Sequence, residues 1–227
     1  PGFALALSGL ADCWALGVDY RGTAVDEGMT RARADAQRAL ALDDTLAEAH
    51  TSLAWVTFIH DWDWPRAGYH FRRAIELDPK YPTARQWHAW YLAAMGRVPE
   101  GVAEALLAVQ LDPASASIRR GIGWLHWLAR DPGAGEEELR RAVVMDPESP
   151  DSHLILGLSL MSLGDLGGAE EAVREALALD PEASHAMAMQ GRLRVLQGRL
   201  DEALAIRDRM VALGQERYVS PTDIAKI

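Results

Sequence analysis

The chain has a single cysteine among its 227 residues, Cys13, which excludes an internal disulfide framework. Long apolar runs are also missing, because the longest ones, such as residues 154–160, are far too short to cross a bilayer. The first residues lack the charged segment and apolar stretch of a secretory signal. These absences predict a cytoplasmic region with no membrane insertion. A periplasmic location is the alternative if the parent protein has an upstream membrane span.

Signatures of catalysis and of cofactor binding are absent as well. We find no glycine-rich phosphate loop, no nucleophile elbow and no paired histidine spacing for a metal. The segment 60–63 (His-Asp-Trp-Asp) could be interpreted as metal ligands, but Asp63 before Trp64-Pro65 is better explained as a helix cap. We therefore predict a protein that is not an enzyme and binds neither cofactor nor metal. Cys13 is expected to be a small buried residue of the first helix.

Positive charge is too sparse for a nucleic-acid surface. The net charge is −10, and residues 131–182 account for it with 13 acidic residues against three arginines. Binding to phosphates needs clustered lysine and arginine, so we expect no nucleic-acid partner. Acidic runs such as 136–138 indicate a solvated helix face, and a docking face for a basic partner is the alternative.

What the chain does contain is a repeat. Pro79, Pro113, Pro147 and Pro181 are each 34 residues apart, and each closes a Leu-Asp-Pro or Met-Asp-Pro tripeptide. A fixed period of this size indicates one supersecondary unit copied and stacked. A hydrophobic fraction of 49% is also too high for a disordered chain. The period therefore predicts a solenoid without a central core.

Each unit reads as two helices. In the unit that ends at Pro147, Ser115 or Ser117 can cap a first helix that runs to about Ala129. A break follows, and a second helix reaches Met145, where the approaching proline ends it. Two helices joined by a tight break form a hairpin, and hairpins stack.

Small residues recur in three columns of the repeat. Fourteen of 15 places are alanine or glycine, and small side chains let helices approach closely. The three columns are 54, 89, 123, 157 and 191; 67, 101, 135, 169 and 203; and 74, 108, 142, 176 and 210.

With its 34-residue period, small columns and closing proline, the chain resembles the tetratricopeptide repeat (TPR) family. The resemblance implies an all-α fold, an α-α superhelix (solenoid) of about six helix-turn-helix repeats in a single array over residues 1–227. The repeats are expected at about 2–44, 45–79, 80–113, 114–147, 148–181 and 182–214, with the start of a further helix at 218–227.

Two segments carry a more specific resemblance. His60-Asp61-Trp62-Asp63-Trp64 and the closing segment 217–221 (Arg-Tyr-Val-Ser-Pro) are similar to repeat arrays at the C-terminal end of bacterial multidomain regulators. Those proteins carry a kinase, cyclase or winged-helix domain upstream. The resemblance implies that this chain is a non-catalytic part that senses a signal or binds a partner.

Tryptophan is abundant and ordered, with eight in the chain. Trp55, Trp90 and Trp124 occupy one column of the repeat, and the columns four residues before and three residues after it complete a stripe along each first helix. In TPR arrays this stripe is expected to line the concave face. The predicted ligand-binding residues are Trp55, Phe58, Trp87, Trp90, Arg120, Trp124, Trp127, Leu158 and Met161.

Two interpretations of the stripe remain open. The aromatic rings can be packing residues wedged between neighbouring first helices, or half-exposed rings that form an apolar surface large enough to bind a partner. The second interpretation predicts a protein or peptide partner, with Arg120 holding a carboxylate or a backbone carbonyl. A small-molecule or saccharide sensor that uses the same groove is the alternative. Copies of the chain are also expected to be able to associate through the repeat ends.

Overall fold

The computed structural model describes residues 2–20, 24–216, 219, 221–225 and 227, and in this part of the chain every regular element is an α-helix. The helices are α1 (Gly2–Tyr20), α2 (Val25–Leu42), α3 (Ala47–Ile59), α4 (Trp64–Leu77), α5 (Pro82–Ala94), α6 (Val98–Leu111), α7 (Ala116–Leu128), α8 (Pro132–Met145), α9 (Pro150–Leu163), α10 (Leu166–Leu179), α11 (Ser184–Leu196), α12 (Leu200–Glu216) and α13 (Pro221–Ile224). The prediction of an all-α helical-repeat fold is confirmed. Two long helices begin within each interval expected to be one repeat, and the last of them, α12, runs two residues beyond the predicted end at 214.

The helix ends follow the local chemistry of the repeat. The Ser115 hydroxyl accepts a 3.3 Å hydrogen bond from the backbone N–H of Ile118, which caps α7 as predicted. At the other end of this hairpin α8 stops at Met145, and the backbone N–H of Asp146 donates to the Ala142 carbonyl over 2.9 Å. Pro147 cannot supply the next donor, so the helix ends there.

The helices form two compact units, residues Pro1–Pro113 and Ala114–Ile227. In unit 1, α1 packs on α3 and α3 on α5, and each of these first helices also packs on the second helix of its own hairpin. In unit 2, α7 packs on α9 and α9 on α11, while the short α13 contacts α11 and α12. The first helices of successive hairpins are therefore neighbours within each unit.

Glycine in the small columns allows the helices of a hairpin to touch. A Cβ atom added at Gly123 would lie 2.7 Å from Leu139 Cδ1, and one added at Gly157 would lie 3.1 Å from Val173 Cγ2. In the last hairpin the residue equivalent to Leu139 and Val173 is the charged Arg207. In this hairpin the side chain of Ile227, from the end of the chain, lies beside the small residue Gly191.

The end of the described chain packs against the last hairpin. The side chain of Ile227 lies 2.6 Å from the position that a Cβ atom would take on Gly191, and Val219 is buried with Met210. Asp223 on α13 is buried and contacts His185 of α11. The further helix expected at 218–227 corresponds to α13, whereas residues 217, 218, 220 and 226 lie outside the described part.

The hairpin turns from α3 onward share one backbone feature. In five hairpins one turn residue adopts a left-handed conformation with φ between 57° and 84°, and these residues are spaced by 34 along the chain: Trp62, Gly96, Arg130, Gly164 and Gly198. Glycine adopts this conformation without steric cost, whereas a residue with a Cβ atom is strained in it. Trp62 and Arg130 are therefore exceptions at a position where glycine recurs.

One prediction about the first helix is wrong. Cys13 is exposed, because it lies on the side of α1 opposite the contacts that Ala11 and Ala15 make with α2 and α3.

No helix in the described part combines the length and the apolar character that a membrane span needs.

Candidate functional site

In unit 1 the aromatic residues of two successive first helices form one cluster. Trp55 and Phe58 come from α3, and Trp87 and Tyr91 come from α5. The ring centroids of Trp55 and Trp87 are 4.9 Å apart, and those of Phe58 and Tyr91 are 5.7 Å apart at 82°. Such edge-to-face and offset contacts are favourable between aromatic rings. We call these four residues the unit 1 aromatic cluster.

The cluster is only partly open to solvent. Trp87 is 8% exposed, so the expectation that its ring is half-exposed is wrong. Its ring packs on Trp55 of α3, and this contact accounts for its burial. Trp55 and Phe58 are half-buried, and Trp90 on α5 is half-buried as well. The Trp55 indole Nε1 has no acceptor among the described residues.

In unit 2 two tryptophans of α7 stack on each other. The ring centroids of Trp124 and Trp127 are 5.0 Å apart with an interplanar angle of 18°. The indole Nε1–H of Trp127 donates a 2.8 Å hydrogen bond to the hydroxyl of Ser162, which itself donates to the Leu158 carbonyl. This chain of bonds fixes the orientation of the outer ring. Both rings remain half-buried, so part of each faces solvent.

The α9 residues of the predicted site lie beneath this pair. Leu158 and Met161 are 7% and 8% exposed and belong to the apolar core on which Trp124 and Trp127 pack. They pack against the two tryptophans from the core side, and neither is exposed as a binding residue would be. The stripe is thus divided between buried packing residues and a partly exposed surface.

Arg120 already has partners inside unit 2. Its Nη1 donates a 3.2 Å hydrogen bond to Ser149 Oγ and lies 3.8 Å from Asp151 Oδ2. These contacts attach α7 to the first turn of α9. A partner's carboxylate would have to share or displace Asp151 to bind this guanidinium.

A pocket of about 520 Å³ opens beside Trp127. Its walls are Trp127, Leu128, Arg130, Pro132 and Ser162. Leu128 and Arg130 are exposed, so the pocket is continuous with solvent. The sequence did not predict this pocket. It could have drawn attention to Arg130 alone, which replaces a glycine in the 34-residue register of the turns.

The segment His60–Asp63 forms a turn that side chains of the protein hold in place. The guanidinium of Arg33, on α2, lies 3.0 Å from His60 Nδ1 and contacts Asp61, so a cation of the chain itself occupies this place. Asp63 accepts a 3.2 Å hydrogen bond from the backbone N–H of Arg66, as expected of a helix cap. Among the described residues no group of three histidine, cysteine or acidic side chains is arranged to hold a metal ion.

Buried titratable groups lie elsewhere in unit 1. His50 Nδ1 and His70 Nδ1 are 2.8 Å apart, and His50 Nε2 is 3.1 Å from the Asp44 carbonyl. Burial lowers the pKa of both imidazoles, and the neighbouring His50 helps to bring the pKa of His70 to about 4. Both rings are therefore neutral at pH 7. Sequence spacing did not reveal the pair, because the two histidines come from facing helices.

Comparison with known proteins identifies the fold family. No curated protein sequence matches the chain. Among solved structures, a PilW described as a widely conserved type IV pilus biogenesis factor is similar over 92% of both chains, with 20% identity and a TM-score of 0.74. Pseudomonas aeruginosa pilF is similar over 92% of this chain and 93% of its own, with 18% identity and a TM-score of 0.68.

A third similar structure is YrrB, described as a TPR protein with an unusual peptide-binding site. It matches 76% of this chain and 89% of its own, with 18% identity and a TM-score of 0.56. At these identities the likeness shows the fold alone. The profile of the tetratricopeptide repeat matches residues 88–153 and 154–217, which together exceed half of the sequence. The chain belongs to the tetratricopeptide repeat family.

Proposed function

We propose that this protein is a non-catalytic protein–protein interaction scaffold that binds a peptide or partner segment on the aromatic surface of its first helices. TPR proteins generally mediate contacts between proteins, and the structurally similar YrrB is described as having a peptide-binding site. Because two sequence segments are similar to repeat arrays of bacterial multidomain regulators, we also propose that this array is part of such a regulator.

The observation that carries the proposal is the stacked pair Trp124–Trp127. Its rings are half-exposed, rest on a rigid apolar core and are oriented by the hydrogen bond to Ser162. A preorganised aromatic surface loses little conformational freedom on binding, and tryptophan is enriched among the residues that dominate binding energy. The pair therefore has the properties of an anchor for an apolar or proline-containing segment.

Trp55, Phe58 and Trp90 extend the proposal to unit 1. Each is half-buried, so each retains surface for a partner. Trp87, Leu158 and Met161 enter the proposal as supports, because their burial leaves them little surface to offer. Arg120 contributes if a partner's carboxylate or carbonyl replaces Asp151 beside it.

A small-molecule or saccharide sensor is the second candidate function. The observation in its favour is the pocket of about 520 Å³ beside Trp127, which falls within the size range of small-ligand sites, roughly 300–1,000 Å³. An aromatic wall such as Trp127 suits stacking against a ring or a sugar face.

The test is a selection of peptides from a displayed library on the whole chain, followed by affinity measurements on the selected peptide. We expect Trp124→Ala and Trp127→Ala each to weaken binding at least tenfold. The matched control is Val144→Ala, which changes an 81% exposed apolar residue of unit 2 outside the aromatic surface. Thermal unfolding of each variant separates lost binding from lost folding.

Two results would overturn the proposal. One is a selected peptide that binds the Trp124→Ala/Trp127→Ala double variant as tightly as the unchanged chain. The other is failure to select any peptide while a saccharide or small-molecule panel yields a ligand that Trp127→Ala abolishes. The second result would establish the sensor function in its place.

A further inference from the structure

The turn between α3 and α4 exposes two stacked tryptophans that take no part in the aromatic surface proposed above. Trp62 is 71% exposed and Trp64 is 43% exposed, and their ring centroids are 6.3 Å apart with an interplanar angle of 25°. Single exposed apolar side chains are normal, but two large exposed rings in contact form a contiguous apolar patch, and such patches are typical of binding sites.

The backbone of this turn is strained at the exposed ring. Trp62 has φ 57°, at the turn position that holds Gly96, Gly164 and Gly198 in three other hairpins. A glycine would satisfy the turn without strain, so the turn itself gives no reason for a tryptophan. Strained residues that the surroundings hold in place cluster at functional sites. The strain therefore points to a role for the Trp62 side chain.

The turn is held rigid from α2. Arg33 contacts both His60 and Asp61, and His60 Nε2 lies 3.3 Å from Asp26 Oδ1. These contacts join the turn to the preceding hairpin of unit 1. The tryptophan pair is thus presented on a fixed support, which lowers the entropic cost of binding a partner.

The turn that carries the pair has one more carboxylate than guanidinium groups. Asp61 and Asp63 flank Trp62 in the chain and Asp26 contacts His60, whereas Arg33 contacts Asp61 and Arg66 lies on the first turn of α4. Asp26 is fully exposed and contacts the imidazole of His60. Exposed indole rings on a turn with an excess of carboxylates are complementary to a cation, because the face of an indole ring attracts positive charge.

The same unit already shows such an arrangement with its cation in place. The guanidinium of Arg31 lies over the Trp14 ring at 4.4 Å from the centroid, and Arg31 pairs with Glu27 over 2.7 Å. The Trp62–Trp64 pair has the aromatic faces and the carboxylates, but among the described residues no guanidinium lies over either ring. We propose that Trp62 and Trp64 form a docking surface for an arginine side chain of a partner protein segment.

The experiment titrates the whole chain with a blocked tri-arginine peptide and with a matched peptide in which citrulline replaces each arginine. Citrulline keeps the shape of arginine and lacks its charge. Indole N–H resonances in ¹⁵N-labelled protein report which tryptophans respond. We expect Trp62 and Trp64 to shift with the arginine peptide and its affinity to exceed that of the citrulline peptide at least tenfold.

Three variants sharpen the test. Trp62→Gly should abolish the response of Trp64 while the unfolding midpoint stays equal or rises, because glycine suits the left-handed turn. Asp63→Asn keeps a helix cap but removes a charge, and should weaken the arginine peptide about threefold. Trp127→Ala changes the aromatic surface of unit 2 and should leave arginine binding unchanged, which separates this inference from the proposed function.

The inference is overturned if the citrulline peptide binds as tightly as the arginine peptide, or if Trp62→Gly retains the full affinity. It is equally overturned if Trp62 and Trp64 respond to an oligosaccharide or to phosphatidylcholine vesicles and not to the arginine peptide. If Trp62→Gly fails to fold, Asp63→Asn decides, and an affinity equal to that of the unchanged chain contradicts the role given to the carboxylates.

Discussion

The hydroxyl of Ser52 donates a 2.6 Å hydrogen bond to Asp12 Oδ1 and thereby joins α3 to α1 across two successive hairpins. Ser8 Oγ lies 3.3 Å from Ser52 Oγ in the same contact. Burial raises the pKa of the Asp12 carboxyl from 3.8 to about 6, with nearby Glu48 acting in the same direction and the Ser52 hydrogen bond against it. The carboxyl is therefore partly protonated in weakly acidic solution, although it is placed in a structural contact.

Replacing Asp12 by asparagine should stabilise unit 1 at neutral pH. Between pH 3.8 and about 6 the native chain binds more protons at Asp12 than the unfolded chain, so stability falls as the pH rises through this window. Asp12→Asn removes that loss. We expect the variant to equal the unchanged chain near pH 4 and to exceed it by about 1–2 kcal/mol at pH 7.5, measured by urea unfolding. Glu148→Gln, an exposed carboxylate, is the control, and a pH-independent difference for Asp12→Asn would contradict the prediction.

The histidine pair should act in the opposite direction. Below pH 6.5 the unfolded chain protonates His70, whereas the native chain resists protonation until about pH 4. Stability therefore falls as the pH drops through this window. His70→Gln should make the unfolding free energy less dependent on pH between 6.5 and 4, although it loses stability at pH 7.5 with the hydrogen bond to His50. The measurement is urea unfolding at several pH values. If the unfolding free energy of His70→Gln depends on pH as strongly as that of the unchanged chain, the histidine pair does not cause the pH dependence.

Because these two effects overlap in pH, they partly cancel in the unchanged chain. The Asp12→Asn background exposes the histidine effect, so His70→Gln is best compared in that background. Asp44, Arg66 and Arg73 are the charged groups that act on the two imidazoles, and they are retained in both variants.

Arg130→Gly should raise the stability of unit 2. Arg130 has φ 61°, a conformation that costs a residue with a Cβ atom about 1–2 kcal/mol. Glycine removes this cost and adds some entropy to the unfolded chain, so the net gain should be up to about 1 kcal/mol. Thermal or urea unfolding measures it. The neighbouring Ala129→Gly is the control, because Ala129 has φ −70° and should lose stability when it becomes glycine.

The same variant also reports on the pocket beside Trp127. Arg130 is one of its walls, so a partner that uses the pocket should bind Arg130→Gly more weakly even though the protein is more stable. If Arg130→Gly leaves both the stability and the partner affinity unchanged, Arg130 adopts the left-handed turn conformation without strain and takes no part in binding.

Gly123→Ala should destabilise the α7–α8 hairpin. The added Cβ atom would overlap the Leu139 side chain, which is fully buried and cannot move into solvent. Overpacking of this kind costs about 1–3 kcal/mol. Gly133→Ala is the matched control, since its Cβ atom would meet only Leu163 at an ordinary 3.9 Å. Circular dichroism during urea unfolding measures both, and equal effects of the two substitutions would contradict the packing account.

The fold followed from the sequence because its determinants are local and periodic. Pro147 and Ser115 mark helix ends through backbone chemistry that does not depend on the rest of the molecule. Small residues such as Gly123 mark close helix contacts, since a side chain there would overlap the facing helix. Each of these signals recurs every 34 residues, so one repeat confirms the interpretation of the next.

The candidate site was less accessible from the sequence. Helical periodicity places Trp87 and Trp90 on the same general side of α5, but it does not say which of them meets α3. The pairs Asp12–Ser52 and His50–His70 each join residues of different helices, so their distances depend on packing that no spacing encodes. The left-handed conformation of Arg130 could have been predicted, because the turn glycines recur every 34 residues, as the prolines do, and Arg130 occupies one of their positions.

The left-handed turn residue has a fixed place relative to the second helix of a hairpin. Trp62 and Gly164 share this backbone geometry, and in both hairpins the second helix begins two residues later, at Trp64 and Leu166. A turn can thus change in length and side chains on the side of the first helix while the second helix begins at the same point, as the longer turn with Trp62 and the shorter one with Gly164 illustrate.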